Sequence, residues 1–299
     1  MKVLPDWVTS KRLKTPTLIV VGLIHATALA APFTFSWTGF ILCVILFWVT
    51  GGLGITLCYH RLLTHRSYRT YKPIEYVLTM CGCLALQGGP IRWVATHRLH
   101  HKESDEVPDP HTPVVSFLWS HMLWLFFEDP QLDCYDKLRR FAKDLDKDAF
   151  MRFLNRFYLP IYFVAAGLLY LIGHAVGGWE LGLSLLVWGV AVRTVLVWHS
   201  TWLVNSATHL WGYRNYRTGD NSRNTWWVAV LTFGEGWHNN HHADQRSAAH
   251  GHRWWEFDTT YLTIKAMQLF GLAKDVVRPG RLSQIRAKDQ GSDEVAVSE

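Results

Sequence analysis

A chain of 299 residues with 49% hydrophobic content, 16 Trp and a formal net charge of +6 can bury a large core. Its mean hydropathy of +0.03 excludes a protein that is almost wholly lipid-embedded, so a substantial polar part must stand beside any membrane spans. No Lys/Arg block is dense enough for nucleic-acid binding, and five Cys without a C-x-x-C pair exclude a disulfide scaffold and a zinc finger.

The N-terminal segment is basic, with Lys2, Lys11, Arg12 and Lys14 ahead of the first apolar run. Residues 17–35 and 37–58 each approach the ~20 residues that cross a bilayer as helix. The uncharged turn Pro32–Ser36 joins them into a hairpin, and the first run reads as a retained span rather than a cleavable signal. At ~1.5 Å per residue, a helix from Trp37 brings His60 out roughly 35 Å along, just above the hydrocarbon. There stands the first of three histidine clusters, His60-Arg-Leu-Leu-Thr-His65. Its two rings lie about 140° apart on a regular helix and converge only if the helix ends or tightens between them.

The second cluster is His97-Arg-Leu-His100-His101. Helical residues three and four apart share a face, so these rings project to one side, with His100 and His101 splayed by about 100° and able to serve different ions. Glu103, Asp105, Glu106 and Asp109 follow. They either orient ligand histidines by hydrogen bonds or form a solvated acidic loop. His111 and His121 match no cluster and are read as structural or as supporting the ligand histidines from behind.

Two further spans are expected over 157–173 and 181–205, joined by the turn Gly173–Glu180, which has no Lys or Arg. Positive charge therefore gathers on the side holding both termini, the large loop and every histidine cluster, which makes that side cytoplasmic. A charge inside a span is costly, so Arg193 is expected to face the protein interior. His25, His174 and His199 are read as interfacial or packing residues. The last span ends in Asn205-Ser-Ala-Thr-His209. This i, i+4 pair makes His209 a ninth candidate ligand and Asn205 a candidate holder of metal-bound water. The third cluster, His238-Asn-Asn-His241-His242, repeats the geometry of the second, and His250 and His252 beyond it are read as loop residues. Residues 280–299 are polar and charged, a tail expected to be disordered, which leaves 1–279 as a single domain.

Eight of the 16 His sit in the three clusters. Neutral imidazole is the commonest protein ligand for first-row transition metals, and this many nitrogens suit two ions better than one. Structural zinc prefers four ligands and commonly uses Cys, whereas imidazole-rich sites of higher coordination suit iron. Two irons at a membrane edge point to oxygen chemistry on an apolar substrate.

These clusters resemble the membrane fatty acyl desaturases, of the stearoyl-CoA or acyl-lipid Δ9 type. The resemblance runs over about 17–278, on H-R-x-x-x-H at His60–His65, H-R-x-H-H at His97–His101 and H-N-x-H-H at His238–His242. Gly-Leu-Gly-Ile-Thr before His60, Asp109-Pro-His, Asn205-Ser-Ala-Thr-His209 and Gly234-Glu-Gly-Trp-His238 add to it. It implies an all-α membrane protein of four transmembrane helices under a cytosolic helical cap. It also implies two Fe2+ ions on His60, His65, His97, His100, His101, His209, His238, His241 and His242, with Asn205 acting through water. The substrate it implies is a saturated long-chain acyl group, and the co-reactants are O2 and a separate electron donor of ferredoxin or cytochrome b5 type. The chain has no fused cytochrome b5 signature and no Gly-rich dinucleotide fingerprint. Ala95 and Thr96 stand where animal acyl-CoA enzymes carry an Arg-Asp pair for the CoA headgroup, so this chain looks closer to the plant and cyanobacterial branch. The rival reading is a histidine-box hydroxylase of alkane, fatty acid or carotenoid type, against which the H-R-x-x-x-H cluster argues. A membrane haem carrier would place facing histidines within the spans, not at one edge.

Overall fold

The computed structural model describes residues 13–105, 109, 111–113, 115–129 and 132–280. Lys2, Lys11, Arg12 and Glu106 lie outside the described residues, as does the expected tail apart from Gly280. The fold is helical, with two apolar hairpins carrying a set of shorter helices at one end.

Helix α1 (Thr15–Ala28) opens with Pro16 in its first turn, where a missing N–H costs nothing. Ser36 caps α2 (Trp37–Phe47) by accepting from Gly39 N at 3.0 Å, and its hydroxyl also meets Ser184 Oγ at 2.7 Å. α2 passes without a break into a π-helical stretch, Trp48–Thr64. Here the hydrogen bonds run five residues back: His65 N donates to His60 O at 3.1 Å, and Thr64 Oγ1 to Tyr59 O at 2.8 Å. Helix α3 (Lys72–Cys83) packs along that stretch so closely that a Cβ on Gly54 would lie 2.5 Å from Gly82 N. α4 (Pro90–Glu103) follows, again with Pro at its start, and then α5 (Phe117–His121).

The long apolar segment from Ala149 to Leu210 comprises α6 (Ala149–Leu186), a second π-helical stretch (Val187–Val192) and α7 (Arg193–Leu210). Inside α6, Gly177 leaves helical angles and Gly178 takes φ 74°, a left-handed conformation that glycine reaches without strain. The chain folds back there, and a Cβ at Gly173 would lie 2.9 Å from Gly182 Cα. The runs Thr15–Phe33, Trp37–Thr64 and Ala149–Leu210 are each long and apolar enough to cross a membrane. Large apolar side chains face outward along all three, among them Ile19, Leu23, Ile41, Val44, Phe163, Val164 and Ile172. In water such a belt is unfavourable; against lipid it is the expected surface.

Beyond the apolar runs, α8 (Trp226–Leu231), α9 (His238–Ala243) and α10 (Thr259–Leu269) complete the polar end. A two-residue antiparallel ladder, Arg69–Thr70 against Ala273–Lys274, ties the C-terminal part to the loop after the first π stretch. This ladder is the small departure from an all-α expectation. Arg193 faces inward as expected: it is buried and donates to Leu84 O at 2.5 Å. With Trp198 Nε1, which donates to Ala85 O and Leu86 O, it satisfies carbonyls that the end of α3 leaves open. The three histidines His25, His199 and His121 form a chain, Nε2 to Nε2 at 3.1 Å and Nδ1 to Nε2 at 3.0 Å, ending on Ser206 Oγ.

Candidate metal centre

His60 and His65 sit at the polar end of the first π stretch, and its pitch decides how they meet. The helix was expected to end or tighten between them; it does end, at Thr64, but its winding is wider rather than tighter. Bonding five residues back widens the turn, so residues five apart stack, and the two rings lie 4.8 Å apart between centroids. α4 carries His97, His100 and His101, α7 ends in His209, and α9 carries His238, His241 and His242.

All nine come together, in two groups. His60, His65, His97, His101 and His241 form one; His100, His209, His238 and His242 form the other. Within each group the ligand nitrogens lie within 4.8 Å of one another. The adjacent pairs His100/His101 and His241/His242 are divided between the groups, as splayed neighbours on a helix allow. In the first group Nε2 atoms face each other: His60 to His241 at 3.1 Å, His241 to His101 at 3.0 Å and His101 to His97 at 2.9 Å. In the second, His209 Nε2 faces His238 Nε2 at 3.1 Å.

Carboxylates hold the outer nitrogens. In the four-histidine group, His100 Nδ1 donates to Asp109 at 2.9 Å and His242 Nδ1 to Asp220 at 2.5 Å, while His209 Nδ1 lies 3.0 Å from Asp105 Oδ1, off the hydrogen-bond axis. Among the described residues, the five-histidine group has Glu235, 2.5 Å from His60 Nδ1. Glu235 also faces His250 Nδ1 at 3.2 Å and the wholly buried Arg61, which donates as well to Asp258 and to Ala248 O. His101 Nδ1 and His241 Nδ1 are buried without a hydrogen-bond partner.

These contacts fix the electrostatics. An Nδ1–H given to a carboxylate leaves Nε2 as a lone pair. Burial holds His97, His101, His238 and His241 well below the ordinary histidine range, so they stand neutral. Burial alone would raise the Asp109, Asp220 and Glu235 carboxyls; the facing histidines, and Arg61 for Glu235, outweigh it and hold all three below the usual carboxylate range. Neutral, inward-pointing nitrogens about 3 Å apart among ionised carboxylates form a donor set that suits transition-metal cations. The residues present therefore fit two such ions, one for each group.

A cavity of mixed lining reaches this centre, with Lys14, Arg92 and Asp133 among its polar residues and Trp93, Trp198 and Trp202 among its apolar ones, and it continues into a second, apolar compartment. It shares Trp93, His97, Thr201 and Asn205 with that compartment, which also touches His60, His238, Gly51, Ile55 and Phe233. Asn205 thus stands where cavity and histidines meet. His111, read as structural or as supporting the ligands, lines the cavity with its ring 4.4 Å from His100.

Sequence reasoning missed Asp220 and the pairing of Glu235 with Arg61; His250 lies in a loop as read, but it is fully buried with its ring 4.4 Å from His241, a contact the sequence did not show. Asp105 and Asp109 were singled out by their nearness to the second cluster. Glu103 instead pairs with Lys102. Asp220 gave no signal, because nothing in its spacing relates it to His242.

The family model for fatty acid desaturases matches residues 35–272. An sn-1 stearoyl-lipid 9-desaturase of Anabaena variabilis is 53% identical over 87% of this chain and 92% of its own length. An sn-2 palmitoyl-lipid 9-desaturase of Nostoc sp. (strain 36) is 44% identical, covering 91% and 93%. An acyl-CoA 5-desaturase of Anemone leveillei is 46% identical, covering 89% and 80%.

Proposed function

The chain belongs to the fatty acid desaturase family, and from that premise we propose an O2-dependent di-iron enzyme that sets a cis Δ9 double bond in the acyl chain of a membrane glycerolipid. The observation that carries the reading is the division of nine histidines into groups of five and four at the wall of an apolar cavity. Glycerolipid as carrier and Δ9 as position rest on the cyanobacterial relatives named above, and Ala95 and Thr96 agree with a carrier other than CoA.

His60, His65, His97, His101 and His241 would hold one iron, and His100, His209, His238 and His242 the other, with Asn205 acting through water. When bound, the irons supply with O2 the oxidising power to break an unactivated C–H bond, which no side-chain acid or base can do. The chain's own residues do the rest. Trp93, Trp198, Trp202 and Ile55 shed water from the methylenes. The cavity's course past His97 and Asn205 sets which carbons lie at the centre, since proximity is what distinguishes otherwise similar CH2 groups. The carboxylates of Asp105, Asp109, Asp220 and Glu235 keep the histidine nitrogens aimed inward.

We count four spans, the Ala149–Leu210 run supplying two across its bend at Gly177 and Gly178. The polar end would be cytoplasmic, because Arg66, Arg92, Arg98 and Lys102 gather there while the opposite turns carry no Lys or Arg. Residues 1–279 would form one domain, with 280–299 a tail.

The test is fatty-acid profiling of a desaturase-deficient host expressing the chain beside its His241→Ala variant. New monounsaturated chains in the wild type alone, with the bond at carbon 9, are the expected result. Hydroxylated chains would move the assignment to the hydroxylase reading.

A further inference from the structure

The five-histidine group has a second opening, on the polar surface. A depression of about 620 Å3 reaches His65 and His101 and is rimmed by Arg66, Arg98, Lys102 and Arg246. It shares no lining residue with the apolar cavity. His65 and His101 are half-buried at its floor, whereas all four histidines of the other group are buried. Something other than the acyl chain can therefore approach one iron site and not the other.

We propose that this depression docks a small acidic one-electron carrier protein, and that electrons enter the centre through the His65 and His101 side. The inference rests on the di-iron reading above. That reaction needs a reductant from outside: –CH2–CH2– and O2, with two electrons and two protons, give –CH=CH– and two waters. The carrier loses one electron at each docking, and two dockings complete a turnover.

Charge selects the partner. Each histidine cluster contributes a cation beside its ligands: Arg66 follows His65, Arg98 and Lys102 flank His101, and Arg246 follows His242. Arg66 and Lys102 side chains are 63% and 67% exposed, and Arg246 is exposed with no ion pair among the described residues. Asp144 and Glu103 offset part of this charge. Arg98 is fixed from below by Leu63 O, Thr64 O, Phe141 O and Asp144, so the floor is held in place while the cations of Arg66, Lys102 and Arg246 reach solvent at the rim. Such surfaces steer association and release quickly, as a carrier that must visit twice requires.

The experiment uses the full-length, iron-loaded protein in detergent with a plant-type [2Fe–2S] ferredoxin as probe. Affinity is measured by titration and electron entry by stopped-flow reduction, in wild type, in the triple variant Arg66→Glu/Lys102→Glu/Arg246→Glu, and in Lys137→Glu, which is exposed outside the depression. At low salt the triple variant should bind at least tenfold more weakly and be reduced by ferredoxin at least tenfold more slowly. The difference should vanish near 1 M salt, where the screening length is about 3 Å. Iron content and reduction by dithionite should match wild type. Unchanged affinity in the triple variant, an equal loss in Lys137→Glu, or no wild-type binding overturns the proposal. A wild type that purifies without iron overturns the desaturase reading itself, and the docking role with it.

Discussion

The two histidine groups share two helices, α4 and α9, but differ in what surrounds them. All four rings of the four-histidine group are buried, with His238 lining the second compartment; Asp109 and Asp220 bond two of them from outside, and Asp105 stands behind His209 off the hydrogen-bond axis. The five-histidine group is held by Glu235 alone among the described residues, keeps two unpartnered Nδ1 atoms, and touches both the apolar cavity and the cationic depression. Carboxylate backing fixes a tautomer, aims the lone pair and strengthens the ligand, and it also takes up the room through which a reactant would approach. Both groups thus meet the cavity, but the polar depression opens on the five-histidine group and not on the other.

The largest way to break this contrast is to remove one ring from each side. His101→Ala and His242→Ala should both bring product below detection by fatty-acid profiling, each losing one iron and keeping the other by metal analysis. Loss of both irons in either variant would show a single fused site. Next is Glu235→Gln, which unbalances the buried Arg61 as well as His60. Removing one partner of a buried ion pair costs about 3–5 kcal/mol, so a marked fall in thermal midpoint should accompany the loss of activity. Asp220→Asn touches no buried cation and should leave that midpoint near wild type, while lowering metal affinity about 10–100-fold by competition with a chelator. A large thermal effect there would mean that the aspartates are structural. The smallest change is Gly51→Ala at the far compartment, whose Cβ would sit 3.3 Å from the Phe233 ring. It should favour shorter acyl chains by roughly tenfold at most, read as product ratios, with both irons retained.

How much of this was legible in the sequence depends on distance along the chain. The nine candidate ligands were visible because metal spacing is local, and the turn between the last two apolar runs because Gly177-Gly178 marks it. Asp105 and Asp109 were visible through nearness to His100. Asp220 and Glu235 were not, since they meet their histidines at sequence separations of 22 and 175 (235 − 60). Arg61 looked like part of a motif and proved to be the buried cation that anchors Glu235. α3 went unread because its twelve residues lack an apolar run long enough to stand out. The π pitch was invisible for a different reason: helical periodicity assumes 3.6 residues per turn, and only its outcome, two rings five apart in contact, betrays a wider coil.

That wider coil also makes the second apolar run sensitive to length rather than to composition. A helix wound with bonds five residues back holds more residues than its rise needs, and it can relax to ordinary pitch if one is taken out. Deleting a single residue such as Leu53 would let the run keep its apolar surface and its place beside α3, yet turn His60 by about 100° relative to His97 and His241. The span would insert and the chain would fold, but the first cluster would be out of phase with the other two. The surplus residue acts as the timing mark that sets the histidines in step.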